Sequence, residues 1–174
     1  MTWNPRLVLL GAAATIAMAA GVGGAAAEDG PFSICVVHNS ADHPSITAIV
    51  NGMNDEGKLY GAEITYFDPA FDPQKQASMV EDCIARKPSV LVVNAVDPAA
   101  VVQVLKKASE AGIPIVMQNA DTNDEGHKYT ATFVGSQSYD QGYAVGEMIV
   151  KATDGKGNLV LITGKPGQFD VVQR

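Results

Sequence analysis

The apolar residues of this chain fall into short unbroken runs that alternate with longer amphipathic stretches. The clearest case lies near the middle of the chain, where the runs Val-Leu-Val-Val (90–93) and Ile-Val-Met (115–117) flank a stretch with Val101, Leu105 and Ala108 on one helical face. Two β-branched runs around one amphipathic helix predict a parallel βαβ unit. Because neither run alternates apolar with polar residues, we expect helices to cover both faces of the sheet.

The same alternation of runs and amphipathic stretches continues on both sides of this unit. Further strands are predicted over residues 32–38, 63–67, 132–135 and 158–163. Helices are predicted to begin near Ser45, at Asp72-Pro73, at Asp97-Pro98 and near Tyr139, with each Asp as N-cap and each Pro as first helical residue. Among the connections between the predicted strands, residues 121–130 are the exception, because they contain no apolar helical pattern. The predicted fold class is therefore α/β, a parallel open sheet with helices on both faces.

Polar residues follow the first and fourth strands at their carboxyl ends, which is where ligands bind in open α/β sheets. The candidates after the first strand are Asn39, Ser40, Asp42 and His43, and those after the fourth are Asn119 and Asp121. Ser40 and Asp42 could instead make loop turns or cap the following helix. We favour ligand contact for Asn39 and His43 and a cap for Asp42. Asn94 is interpreted as a structural residue that ends a strand.

The first 27 residues have the composition of an export signal. Arg6 supplies a positive charge, residues 7–20 form an apolar core, and three alanines at 25–27 provide a cleavage pattern before Glu28. A membrane anchor is the alternative, because residues 7–27 could nearly span a bilayer. The segment is rich in Ala and Gly and only weakly hydrophobic, so we predict a signal peptide over residues 1–27 that is removed on export.

Charge and cysteine content narrow the possible partners. With 12 basic and 19 acidic residues the net charge is −7, and no Lys/Arg cluster provides the electrostatic footprint of a nucleic-acid-binding surface. The two cysteines, Cys35 and Cys83, would be exported to an oxidising compartment, where a disulfide and two buried thiols are both possible. No Cys/His cluster has metal-ligand spacing, so we predict neither a metal nor a cofactor.

Four motifs stand in a fixed order along the chain: a polar strand end before Pro44, Asp-Pro-Gln-Lys-Gln (72–76), Val-Asn-Ala-Val-Asp-Pro-Ala (93–99) and Ala-Gly-Ile-Pro (111–114). Gly-Ser (135–136) and Gly-Lys-Pro-Gly (164–167) extend the series. In this order and spacing the chain resembles the exported sugar-binding proteins of the ribose/galactose-binding type, which have the type I periplasmic binding fold.

The resemblance implies two α/β lobes that close on a ligand about a hinge, with the first crossing between lobes near Phe133. Residues 31–132 would then be the N-terminal lobe and residues 133–174 the first part of the second lobe. Because a helix is expected after the glycine turn at 164–167, we expect that the sequence is truncated at its C-terminus and that the missing part completes the second lobe.

The resemblance also implies ligand contacts. Asn119 stands where the family has an acidic residue that grips sugar hydroxyls, and the arginine that often follows is replaced by Ala120. Ser45 and Ile46 stand where the family has aromatic residues that stack on a pyranose ring. Because this stacking surface is absent, a furanose, a linear polyol or another small polar solute becomes a better candidate ligand relative to a pyranose. In the second lobe, Gln168 and Phe169 follow the glycine turn at a position where the family places ligand contacts.

The function implied is that of a monomeric periplasmic protein that delivers a sugar or polyol to the membrane permease of an ABC importer. A sensory role, with a chemoreceptor as partner, is compatible with the same features. An exported flavodoxin-like or hydrolytic enzyme is disfavoured, because the chain has no G-x-S-x-G elbow, no G-x-G-x-x-G motif and no P-loop. A sugar-responsive repressor should begin with a helix-turn-helix rather than an export signal.

Overall fold

A computed structural model of the protein describes residues 31–42 and 44–164. Its strands are β1 (Ser33–Val37), β2 (Glu63–Phe67), β3 (Val90–Val93), β4 (Ile115–Gln118) and β5 (Thr132–Val134). Its helices are α1 (Pro44–Tyr60), α2 (Pro73–Arg86), α3 (Val102–Glu110) and α4 (Ser138–Thr153), with a 3₁₀ turn at Gly126–Tyr129. The predicted signal peptide and the candidate residues His43, Gln168 and Phe169 lie outside the described residues.

The five strands form one parallel sheet in the order β2-β1-β3-β4-β5. β1 to β4 are joined through α-helices and β4 to β5 through the 3₁₀ turn, as the alternating pattern predicts, and the predicted fold class is confirmed. The direction in which strands are added reverses at β1, so β1 and β3 are neighbours at the switch point of the sheet.

The main core lies between one face of the sheet and the helices α2 and α3. Alternate strand residues point into it, among them Val37, Leu91 and Met117, because side chains along a strand alternate between faces. Cys35 of β1 and Cys83 of α2 meet here in a disulfide with a Cα–Cα distance of 5.9 Å. The disulfide, rather than two free thiols, is therefore the arrangement in the structure, and it fixes α2 to the first strand.

The opposite face of the sheet is covered by α1 on the β2 side only. Gly57 of α1 packs against Ile64 of β2 so closely that a Cβ at residue 57 would lie 2.8 Å from Ile64 Cδ1. Over β3, β4 and β5 the same face carries an apolar groove of about 430 Å³. Its apolar side chains are Ile49, Met53, Val92, Val116 and Val134.

Helix starts follow the predicted capping residues in one case and depart from them in another. Asp72 caps α2 by accepting from the backbone N–H groups of Gln74 and Lys75, as predicted. The predicted start of α3 at Pro98 is wrong, since α3 begins at Val102. Asp97 accepts instead from the N–H groups of Ala99 and Ala100, so it caps the turn that precedes the helix.

The strand predicted over residues 158–163 is wrong, because residues 158–164 have no regular secondary structure. The apolar run there is strongly exposed, with Ile162 at 93%. A β-strand needs a neighbour to satisfy its backbone groups, and none lies beside this run within the described part of the chain. Among the described residues no helix is long and apolar enough to cross a membrane.

Candidate functional site

Five uncharged polar residues lie at the carboxyl ends of β1, β3 and β4, and we call them the strand-end rim: Asn39, Ser40, Asn94, Gln118 and Asn119. Val37, Val93 and Met117 share one row of the sheet. Asn39 and Asn119 each lie two residues beyond that row, on strands separated only by β3. Two strand spacings amount to about 10 Å, which is close to the span of a monosaccharide with its hydrogen-bonding partners.

Asn39 is held in place by neighbours on three segments. Its Oδ1 accepts from the Ser40 backbone N–H at 2.8 Å and from Asn94 Nδ2 at 3.4 Å. Its backbone carbonyl accepts from the Phe71 N–H at 2.7 Å. Ser40 is buried, and its Oγ accepts from the Asp42 N–H at 3.3 Å. The end of β1 is thus a fixed loop that joins β1, β3 and the start of α2.

Asn119 projects from a left-handed backbone conformation, with φ at 61°. Asn tolerates this conformation better than most residues. Its N–H donates to the Val134 carbonyl at 2.9 Å, which leaves an exposed side-chain amide at the edge of the sheet. The Ala95 N–H donates to the Ala120 carbonyl at 3.2 Å, so the ends of β3 and β4 are joined beside it.

Asp121 is buried beside the rim and is engaged within the protein. Its Oδ2 lies 3.0 Å from His127 Nε2, and its Oδ1 accepts from the Thr122 N–H at 2.8 Å. Thr122 Oγ1 in turn donates to the Pro98 carbonyl at 3.0 Å. The side chain of His127 is 49% exposed and pairs with this buried carboxylate. A ligand contact for Asp121 stays a prediction.

Two buried side-chain oxygens at the rim have no hydrogen-bond partner among the described residues: Asn94 Oδ1 and Gln118 Oε1. Buried acceptors are normally satisfied, and an unsatisfied one costs about 1–3 kcal/mol. Both oxygens are covered by protein, and Asn94 and Gln118 are only 0% and 8% exposed, so neither oxygen is open to a solute in this structure. Gln118 opens the polar stretch at 118–121 that the sequence places at the end of β4, but it was not singled out there as a ligand contact.

His38, the residue before Asn39, is buried and is not part of the rim. Its ring stacks on Tyr66 at a centroid distance of 5.7 Å and an interplanar angle of 8°, and neither ring nitrogen has a partner among the described residues. Burial lowers the pKa of His38, and the negative charge of Asp68 opposes this only in part. Burial likewise raises the pKa of Tyr66, whose hydroxyl donates to Asn54 Oδ1 at 2.9 Å.

A group of three or more His, Cys, Asp or Glu side chains that could hold a metal ion does not occur within residues 31–42 and 44–164. The chemistry at the rim is that of neutral amide and hydroxyl groups. Such groups donate to and accept from hydroxyl groups without demanding a charged partner.

The sheet order defines an open α/β fold, in which ligands commonly bind beyond the carboxyl ends of the strands. The chain belongs to the periplasmic binding protein domain family, whose model matches residues 34–174. The recognition made from the four motifs and the fold it implied are confirmed.

Several relatives have solutes in their names. A Rhizobium meliloti protein assigned to rhizopine binding is 35% identical over 121 residues, which cover 68% of this chain and 39% of that protein. The D-apiose import binding protein of Paraburkholderia graminis is 27% identical over 170 residues, covering 98% and 53%. A Bacillus halodurans solute-binding protein with bound myo-inositol superimposes with a TM-score of 0.76 at 26% identity, covering 84% and 51%. The chain thus spans about half the length of the relatives it matches.

Proposed function

We propose that this chain is part of a periplasmic solute-binding protein that captures a sugar or polyol at the strand-end rim and delivers it to an ABC importer. The observation that carries the proposal is the rim itself, a set of five uncharged hydrogen-bonding side chains gathered at the switch point of the sheet. The names of the relatives support it, since D-apiose and myo-inositol are small compounds rich in hydroxyl groups.

The geometry favours a compact ring or a short polyol over a charged solute. Asn39, Asn94, Gln118 and Asn119 are neutral, and Ala120 follows Asn119 where a cation could otherwise stand. Both carboxylate oxygens of Asp121 already have partners within the protein, His127 Nε2 and the Thr122 N–H. An anionic ligand would lose its hydration at this rim without gaining a bidentate cationic partner.

Two lobes are part of the proposal, with residues 31–132 in the first and residues from 133 onward in the second. Exposed apolar side chains support the division, because α4 exposes Tyr143, Val145 and Met148 and the run at 159–162 is exposed throughout. Exposed apolar surface of this extent is typical of a face that is covered in the whole protein. A ligand that contacts both lobes only when they are closed would stabilise the closed state.

Location and partners follow from the same proposal. Residues 1–27 would direct export and be removed, and the disulfide Cys35–Cys83 is consistent with an oxidising compartment. The partner would be the membrane permease of an importer, with a monomeric binding protein and no enzymatic activity of its own. Presentation of the bound ligand to a chemoreceptor is the second use that this arrangement allows.

The test is a thermal-shift screen of the full-length protein against pentoses, hexoses, linear polyols and cyclic polyols, with sugar acids and amino sugars as charged counterparts. We expect at least one neutral compound to raise the unfolding temperature, since a ligand that binds only the folded state stabilises it by mass action. A protein that responds to none of the neutral compounds would refute the proposal, and a response to sugar acids alone would refute the argument from the uncharged rim.

A further inference from the structure

We propose that Gln76 is the positioning residue of the strand-end rim. It lies on the first turn of α2 and is almost completely buried, with 2% of its surface exposed. Its side-chain Nε2 donates to the His38 carbonyl at 3.0 Å and to the Asn94 carbonyl at 2.8 Å. Its Oε1 accepts from the Val96 backbone N–H at 2.9 Å. Both protons of the amide and its oxygen are therefore bonded to backbone groups at the ends of β1 and β3.

These bonds fall where the sheet stops holding β1 and β3 together. The last backbone bond between the two strands runs from the Asn94 N–H to the Val37 carbonyl at 2.9 Å. Beyond it the strands part, and the carbonyls of His38 and Asn94 would be buried without partners. The Gln76 amide takes the place of one further peptide group between them, which satisfies these groups and fixes the distance between the two strand ends.

The position of Asn39 depends directly on this arrangement. Asn39 follows the carbonyl that Gln76 holds on β1, while Asn94 carries the carbonyl that Gln76 holds on β3. The 3.4 Å contact between Asn94 Nδ2 and Asn39 Oδ1 exists only if these two strand ends keep their spacing. Gln76 thus acts on the rim through the backbone, and its own side chain is too deeply buried to meet a solute in the cleft.

The anchor itself is rigid. Asp72 fixes the start of α2 through the N–H groups of Gln74 and Lys75, one turn before Gln76. The disulfide from Cys83 fixes the same helix to β1 two turns later. A helix held at both points can transmit a defined geometry to the strand ends, which a side chain on a loop could not do as precisely.

The inference rests on the proposed function, since positioning matters only if the rim binds a solute. Its test uses three variants of the full-length protein: Gln76→Met, Gln76→Glu and Val80→Ala. Met has a similar length but makes none of the three hydrogen bonds. Glu keeps the acceptor for the Val96 N–H and, when protonated, donates to one carbonyl. Val80 is buried one turn further along the same helix, and its apolar side chain makes no hydrogen bond to the strand ends, so Val80→Ala is a control that lowers stability through a cavity.

Affinity for the best neutral compound of the screen is measured by calorimetry and compared with the unfolding temperature of each variant. We expect Gln76→Met to lose about tenfold or more in affinity, as for the loss of one well-placed polar contact, with Gln76→Glu in between. Val80→Ala should bind within about twofold of wild type at a similar fall in unfolding temperature, because it leaves the three hydrogen bonds of Gln76 in place. Unchanged affinity in Gln76→Met, or equal losses in Gln76→Met and Val80→Ala, would overturn the inference.

Hydrogen exchange separates this inference from the proposed function. Faster exchange at the Val96 and Asn94 amides is expected in Gln76→Met but not in Val80→Ala, whether or not a ligand is found. If the wild-type protein binds nothing in the screen, the proposed function fails, while the exchange rates still decide whether Gln76 holds the strand ends. Equal exchange rates at these amides in wild type and Gln76→Met would refute the proposal that Gln76 holds the two strand ends together.

Discussion

At the scale of single residues, two properties of Asn119 decide how its proposed role can be tested. It occupies a left-handed conformation, and its side chain has no role in the core. Substitution by Ala would mix the loss of the amide with backbone strain, because Ala has a Cβ that disfavours φ near 60°. Substitution by Gly removes the amide and leaves the backbone unstrained.

We therefore expect Asn119→Gly to weaken binding of the best neutral compound by about tenfold, the typical effect of losing one hydrogen-bonded contact. The unfolding temperature should stay near that of wild type. The matched control is Asn51→Ala, which removes an amide at an exposed position of α1. Ala replaces Asn in this control because Gly would destabilise the interior of a helix. Calorimetry on the full-length protein is the measurement, and equal affinity of Asn119→Gly and wild type would remove Asn119 from the site.

His38 provides a prediction about pH. Its pKa is lowered in the folded protein, mainly by burial, so below about pH 6.5 the unfolded chain binds the proton more readily than the folded one. Stability should therefore fall as the pH drops from about 6.5 towards the lowered folded value and should be fully retained above about 6.5.

The check is a series of urea unfolding curves between neutral and mildly acidic pH for wild type and His38→Phe. Phe keeps the stack on Tyr66 and removes the titrating group. The wild-type midpoint should decrease more steeply on acidification than that of His38→Phe. If the urea midpoint changes with pH equally in the two proteins, protonation of His38 is not linked to unfolding.

At the scale of elements, the sequence predicts an element best when the signal is local to it. The start of α2 was predicted correctly because Asp72 and Pro73 supply a cap and a first helical residue within two positions. The same Asp-Pro pair at 97–98 misled the prediction of α3, because a capped turn and a capped helix begin alike and only the packing of Val101 against the core decides between them. The strand predicted at 158–163 is wrong because a strand forms only beside a partner strand, and the residues of the run do not show whether a partner is present.

The disulfide is an element-scale constraint, since it joins β1 to α2 across 48 positions of sequence. Replacing both cysteines with Ala should lower the free energy of unfolding by about 2–4 kcal/mol, chiefly by freeing the unfolded chain. Urea unfolding with and without a reductant checks this. Reductant should lower the midpoint of wild type and leave that of the double variant unchanged, whereas insensitivity of the wild type would mean that the bond contributes nothing.

The turn beside Asp121 depends on the absence of a side chain at Gly126. A Cβ there would overlap the side chain of Thr122, which is held by the Pro98 carbonyl. We expect Gly126→Ala to cost about 1–3 kcal/mol of stability through overpacking. Gly52→Ala is the matched comparison, because a Cβ at that position in α1 meets nothing within 4 Å and should add about 1 kcal/mol through helix propensity. Equal stability of the two variants would argue against the close packing at Gly126.

At the scale of the whole molecule, the rule about strand ends together with the family resemblance was sufficient to predict Asn39 and Asn119 as candidates at the strand ends, but not the residues that support them. Gln76 reads in sequence as one more polar residue near the start of an amphipathic helix. Its burial becomes visible only when α2 is seen to cross the ends of β1 and β3. Gln118 and Asn94 were difficult for the same reason, because the depth of a strand end depends on elements distant in sequence.

The strand-end rim and the groove over β3, β4 and β5 are continuous but differ in chemistry. Gln118 and Asn119 of the rim also line the groove, whose other side chains are apolar: Ile49, Met53, Val92, Val116 and Val134. A solute rich in hydroxyl groups would lose its hydrogen bonds to water in the groove without replacement. We therefore propose that a solute binds through the rim residues and not among the apolar side chains of the groove, which can be tested residue by residue.

The most direct measurement is amide chemical-shift mapping of the full-length protein during titration with the best neutral compound of the screen. The account predicts the largest changes at the amides of Asn39, Ser40, Val96 and Asn119, with little change at Ile49 and Met53 in the groove. Saturating binding that shifts the groove amides and leaves those at the ends of β1, β3 and β4 unchanged would contradict it.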